Sequence, residues 1–164
     1  KITSIIVLFI LFICINSCTG YKPIFGSSNL QFEIADYSIG GDKKLGSQIY
    51  SKLYNFSKSN KNQENITKIF IIINVSKEKN ATVKNSAGKI LEYKINLNTA
   101  VKAKNYLTND KILDSQFALS SSYKVQDQYS DTIKFENKST ENLINVFMQL
   151  VYDDMSSARI WYFS

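Results

Sequence analysis

The chain reads as an α+β domain: one four-stranded sheet with two amphipathic helices packed on one of its faces, in the order β-α-β-β-β-α. Three observations carry that reading. Residues 42–57 and a stretch starting at Ser139 each gather their apolar side chains on a single helical stripe. Residues 30–36, 68–79, 90–104 and 112–125 alternate or run apolar with the period and length of strands. Short clusters of Gly, Asn, Asp and Ser separate these runs, as turns require.

The first strand, 30–36, puts Leu30, Phe32 and Ile34 on one face and Gln31 and Glu33 on the other, and Gly40-Gly41 break it. The first helix, 42–57, carries Leu45, Ile49, Leu53 and Phe56, with Asp42 placed to cap its start. Gly46 inside it costs up to ~1 kcal/mol relative to Ala, so the helix depends on a packing partner. Residues 58–65 form a polar loop. In 68–79 the run Ile69 to Ile73 is apolar in both phases, the pattern of a central strand covered on both faces.

Residues 84–89 have hairpin-turn chemistry. The third strand, 90–104, alternates: Leu91, Tyr93, Ile95, Leu97, Thr99 and Val101 face one side, and Glu92, Lys94, Asn96, Asn98 and Lys102 the other. Thr108-Asn109-Asp110 make the next turn, and 112–125 the last strand, with Leu113, Phe117, Leu119, Tyr123 and Val125 inward. Ser139 caps the final helix, with Glu141 in its first turn. Its stripe is Leu143, Phe147, Leu150, Val151, Met155, Ala158 and Trp161.

Upstream of the domain, Ile5 to Ile15 are eleven consecutive apolar residues. A bilayer span needs ~20. With Lys1 before the run and Asn16-Ser17-Cys18 after it, residues 1–17 read as a lipoprotein signal peptide. Cleavage leaves Cys18 as an acylated first residue that anchors the chain to a membrane. Residues 18–29, with the sole proline Pro23, form a lipidated tether, and 30–164 a single domain. Thr19 stands where an Asp would favour retention in the inner membrane, so the expected location is the periplasmic face of the outer membrane.

The net charge is +6, and +5 once Lys1 leaves with the signal. Almost all of the positive charge is Lys, with Arg159 the only arginine. In an exported protein this balance suits an anionic lipid rather than nucleic acid. Cys14 is lost with the signal and Cys18 is consumed by lipid, which leaves no disulfide. With no histidine and no free thiol, Ser-His-Asp and Cys-His catalysis are excluded, and the commonest metal ligand is missing. Asp153-Asp154 is the one adjacent carboxylate pair in the final helix, but neighbours on a helix point apart, so both are expected in solvent. No catalytic residue, metal or cofactor is expected.

The opening Cys18-Thr19-Gly20-Tyr21-Lys22-Pro23-Ile24-Phe25-Gly26 resembles the start of lipopolysaccharide-assembly lipoproteins of the LptE type, particularly alphaproteobacterial ones. Thr19 is inserted between the cysteine and the glycine relative to that pattern. Leu91-Glu92-Tyr93 after the turn, and Ser122-Tyr123 before the last helix, are similar to further segments of the family. The resemblance implies an outer-membrane lipoprotein that plugs a large β-barrel lipopolysaccharide translocon (LptD type), assists its assembly and touches lipopolysaccharide. It also implies a basic contact residue in the hairpin turn and another before the last helix, which correspond to Lys84 and Lys134. Lys89, beside the same turn, is added from its position alone. The competing reading is a periplasmic lipoprotein that binds a cell-wall synthase or a secretin.

Overall fold

The computed structural model describes residues 32–59 and 66–160, with side chains described for 32–58 and 66–156. The signal, Cys18, the tether, Leu30 and Trp161 lie outside these residues. The elements are β1 (Phe32–Gly41), α1 (Lys43–Ser59), β2 (Thr67–Lys84), β3 (Ile90–Asn105), β4 (Lys111–Lys124) and α2 (Tyr129–Ile160). They form one mixed sheet in the order β1-β2-β3-β4, with β1 parallel to β2 and the other two pairings antiparallel. The α+β architecture and its element order are as the sequence predicts.

One pleat phase of the sheet is apolar and buried. Ile69, Ile71, Ile73 and Val75 of β2 stand beside Val101, Ala103, Ile95 and Leu97 of β3 and Leu113 and Tyr123 of β4. Leu45, Ile49 and Leu53 of α1, and Leu143, Ile144, Phe147, Met148, Val151 and Met155 of α2, close over this face. The two helices run parallel and meet where Phe56 packs on Tyr152, ring centroids 4.0 Å apart. Burying a single Leu, Ile or Phe here contributes roughly 1.5–3 kcal/mol.

Four expectations are corrected. β1 does not stop near Asp36: a bulge between Ile34 and Asp36 resets the phase, so Tyr37 and Ile39 turn to the helix side and pairing continues to Gly41↔Val75. Gly41, at φ 74°, ends the strand, and a Cβ there would strike the Val75 carbonyl. β2 is covered on one face only among the described residues, leaving Phe70 and Ile72 half-buried on the open side. It also runs on to Lys84, because β3 pairs with it over its whole length. The last helix starts at Tyr129 rather than after Ser139. Thr132 Oγ1 accepts the Gln126 N–H at 2.9 Å and Asp131 sits in the first turn, so the start signal lies ten residues earlier, in a stretch whose outward polarity hides its helical phase.

Gly46 shows why α1 tolerates a poor helix former. A Cβ at Gly46 would lie 2.3 Å from Ile39 Cγ2, so the glycine lets α1 close down on β1. Asp42 is the cap as expected, accepting the Leu45 N–H at 3.1 Å.

Candidate functional site

The sheet has two unlike ends. At one end the β2–β3 hairpin projects: β1 stops beside Val75, β4 stops beside Glu92, and β2 and β3 continue to a turn at residues 85–89. Asn85 builds that turn. Its side-chain Oδ1 accepts the N–H groups of Ala87 and Lys89, its backbone carbonyl accepts the Gly88 N–H, and Gly88 takes φ 80°. Ser86 and Ala87 form the tip, and Lys84 and Lys89 flank it. Both lysines are exposed, and neither makes an ion pair among the described residues.

Lys134 is differently placed. It lies in the second turn of α2 rather than before the helix, 77% exposed, with Nζ 3.0 Å from Asp131 Oδ1. The structure therefore brings Lys84 and Lys89 together on one tip and puts Lys134 at the same end but on the helix layer, already neutralised by a neighbour one turn away. Cys18 lies outside the described residues.

Below the tip is a charged cluster that sequence reading missed. Lys77 and Lys79 follow Ile71, Ile73 and Val75 in the inward phase of β2 and so point under α2. There Glu136, 14% exposed, accepts Lys77 at 3.2 Å, Lys79 at 2.6 Å and the Tyr123 hydroxyl at 2.9 Å. The Lys79 ammonium also lies 4.3 Å from the centre of the Tyr93 ring. Burial alone would raise the Glu136 carboxyl, but the hydrogen bonds from Lys79, Tyr123 and Lys77 reverse this and hold it at about 2. Burial would lower Lys79, and its bonds to Glu136 and Tyr123 hold it above its usual range. The signal for this cluster is the alternation after Ile73, which puts Lys77 and Lys79 in the same phase as Val75. It is hidden because the sequence signal for the last helix begins at Ser139, beyond Glu136.

The rest of the surface offers less chemistry. Asp154 is not left to solvent: it accepts the Ser115 hydroxyl at 2.7 Å, while Asp153 is exposed on another side of the helix. Among the described residues no group of three His, Cys, Asp or Glu side chains could hold a metal ion. A polar groove of about 910 Å³ runs between the first halves of α1 and α2, lined by Lys44, Gln48, Lys52, Asn137, Thr140 and Glu141 among others. A shallower depression of about 520 Å³ lies on the open sheet face between Asn74, Asn98 and Gln116. What the hairpin end can do is bind anions through ammonium groups held on a projecting two-stranded arm.

The fold occurs in known proteins. Rare lipoprotein B from Shewanella oneidensis superposes with a TM-score of 0.53 at 12% identity, over 76% of this chain and 96% of that one. A candidate lipoprotein from Caulobacter crescentus CB15 superposes with a TM-score of 0.51 at 8% identity, over 74% of this chain and 88% of that one. No protein-family model and no curated protein sequence matches the chain. At these identities the likeness is one of fold: the domain has the architecture of small bacterial lipoproteins.

Proposed function

We propose that this chain is an outer-membrane lipoprotein, anchored through acylated Cys18, that occupies the lumen of a large β-barrel lipopolysaccharide translocon, assists its assembly and contacts the glycolipid without enzymatic turnover. The observation that carries the reading is the projecting hairpin with Lys84 and Lys89 exposed on its tip and in no ion pair among the described residues. Lipid A and inner-core phosphates are anionic, and an ammonium on a projecting arm competes for them as a point charge. The bacterial-lipoprotein fold and the Cys18 to Gly26 opening support the same reading.

The test is affinity purification of the tagged, detergent-solubilised protein, read by mass spectrometry. A large outer-membrane β-barrel recovered at roughly one-to-one, together with an acyl mass on Cys18, is the expected result. Recovery of a cell-wall synthase or a secretin without a barrel would replace the reading with that of a periplasmic partner protein.

A further inference from the structure

We propose that the β3–β4 turn, Tyr106 to Asp110, is a second membrane contact that inserts Leu107 and Tyr106 into an anionic lipid surface beside the acyl anchor. The proposal rests on the lipid-anchored reading of Cys18.

The turn lies at the opposite end of the sheet from Lys84. Leu107 is 82% exposed and Tyr106 51%. That exposure does not come from a loose loop. Asn105 Oδ1 accepts the N–H groups of Leu107 and Thr108, the Asn105 N–H donates to the Asp110 carbonyl, and the Asn109 N–H donates to the Asn105 carbonyl. The Tyr106 N–H donates to the Lys68 carbonyl at 2.9 Å, which fastens the turn to the start of β2. A turn held at this many points displays its one large aliphatic side chain outward in a fixed direction.

The hairpin turn at the other end uses the same device, an asparagine accepting two backbone N–H groups, yet displays Ser86 and Ala87. The two tips are thus built alike and faced differently, one polar and one apolar. Behind the apolar tip stand the ammonium groups of Lys68 and Lys104. The carboxylates near them among the described residues are Glu33, across from Lys68 in the β1–β2 pairing, Asp36 and Asp114 on the same sheet face, the second paired with Lys102, and Asp110, which accepts the Thr108 hydroxyl. An apolar tip with a tyrosine and a lysine collar matches the interface of an anionic bilayer, where the aliphatic group enters, the phenol stays at headgroup level and the lysines meet phosphate.

Geometry favours this end. The domain begins at Phe32, paired with Thr67 on the strand next to Lys68, so the turn and the entering chain share one end. The fourteen peptide steps from Cys18 to Phe32 reach at most about 50 Å. The eighteen residues of β2 span about 60 Å. A fully extended tether is shorter than β2, so the domain cannot stand on its Lys84 tip with the Leu107 end raised a full strand length above the bilayer.

The experiment places the mature acylated protein in vesicles of phosphatidylglycerol and phosphatidylcholine carrying brominated acyl chains. Trp161→Phe clears the background, and Leu107→Trp or Ser86→Trp reports one end or the other. Fluorescence at position 107 is expected to shift to the blue and fall at least about twofold, while position 86 is unaffected. Equal quenching at the two positions, or none at 107, overturns the proposal. In a second measurement, Leu107→Asp in otherwise unaltered protein added from solution without its acyl chain is expected to bind the same vesicles about tenfold more weakly, with unchanged circular dichroism. If Leu107→Asp instead leaves vesicle binding intact and lowers recovery of a barrel, the turn is a protein contact and the proposal fails. A preparation without an acyl mass removes the anchor alone, and quenching of protein added from solution still decides the turn.

Discussion

Lys79 and Glu136 form the tightest ion pair among the described residues, at 2.6 Å, between the inward phase of β2 and the third turn of α2. The pair sits under the helix at the base of the projecting arm. With Lys77 and Tyr123 it fastens the first turns of α2 to two strands of the sheet, β2 and β4. The base of the projecting hairpin and the start of α2 are therefore held by one carboxylate.

Stability should depend on this carboxylate in acid. Its folded value, about 2, lies below the ordinary value of 4.5, so the stabilisation is fully present above pH 4.5 and is lost as pH falls toward 2. The shift corresponds to about 3 kcal/mol at neutral pH. Glu136→Gln is expected to lower unfolding free energy by about that amount at pH 7, and the difference from the native chain should shrink steadily below pH 4.5. Urea titrations at a series of pH values measure it. A difference that stays constant down to pH 2 would show that Glu136 contributes packing rather than charge.

Gly46→Ala should destabilise the domain although it raises helix propensity. Propensity alone would favour Ala by ~1 kcal/mol. The new Cβ would overlap the Ile39 Cγ2 methyl, which only an unfavourable χ1 change of a β-branched side chain or a shift of α1 can relieve. A net loss of about 1–3 kcal/mol is expected. Ile39→Ala in the same chain should restore most of it, so a double-mutant cycle would give a coupling of the order of 1–2 kcal/mol. Additive losses would place the strain elsewhere.

Legibility in the sequence followed the strength of each local pattern. The alternation of Ile95, Leu97, Thr99 and Val101 identified β3 and its inward face, because one-sided burial imprints period two. The Asp42 cap was readable because a side-chain oxygen before an apolar stripe has few other uses. The bulge after Ile34 was not readable: it shifts the phase without changing composition. Residues 129–138 of α2 are polar because most face solvent, so the helix was truncated to the part with a complete stripe. Glu136 fell in the lost part, and with it the partner that gives Lys77 and Lys79 their meaning. The turn between Lys84 and Lys89 is legible because turn chemistry is local, whereas the choice of Lys84 rests on the family resemblance.

Thr99→Val should stabilise the protein. Thr99 is 3% exposed, and its hydroxyl has no hydrogen-bond partner among the described residues. A buried hydroxyl without a partner costs about 1–3 kcal/mol, and valine has nearly the same shape. A gain of about 1 kcal/mol is expected, seen as a higher urea midpoint with an unchanged slope. A loss on substitution would mean that the hydroxyl is satisfied in solution, and the threonine would then be a polar anchor within the core.

The three candidate lysines should differ in their effect on glycolipid binding, and the difference follows from their partners. Lys84 has no carboxylate to leave, so its ammonium is available to phosphate at no exchange cost. Lys134 must first give up Asp131, 3.0 Å away. Lys84→Asp is expected to weaken binding to purified lipopolysaccharide about fivefold to tenfold, and adding Lys89→Asp should weaken it further and flatten its salt dependence. Lys134→Asp should cost about twofold or less. Lys84 and Lys89 are exposed beyond the last pairing of β4, so neither change should move the thermal midpoint by more than about 2 °C. Calorimetric titration with lipopolysaccharide, paired with circular dichroism melts, checks all three. Equal losses at Lys84 and Lys134 would mean that binding reads the net charge of this end of the domain, and the hairpin tip would no longer be the site of contact.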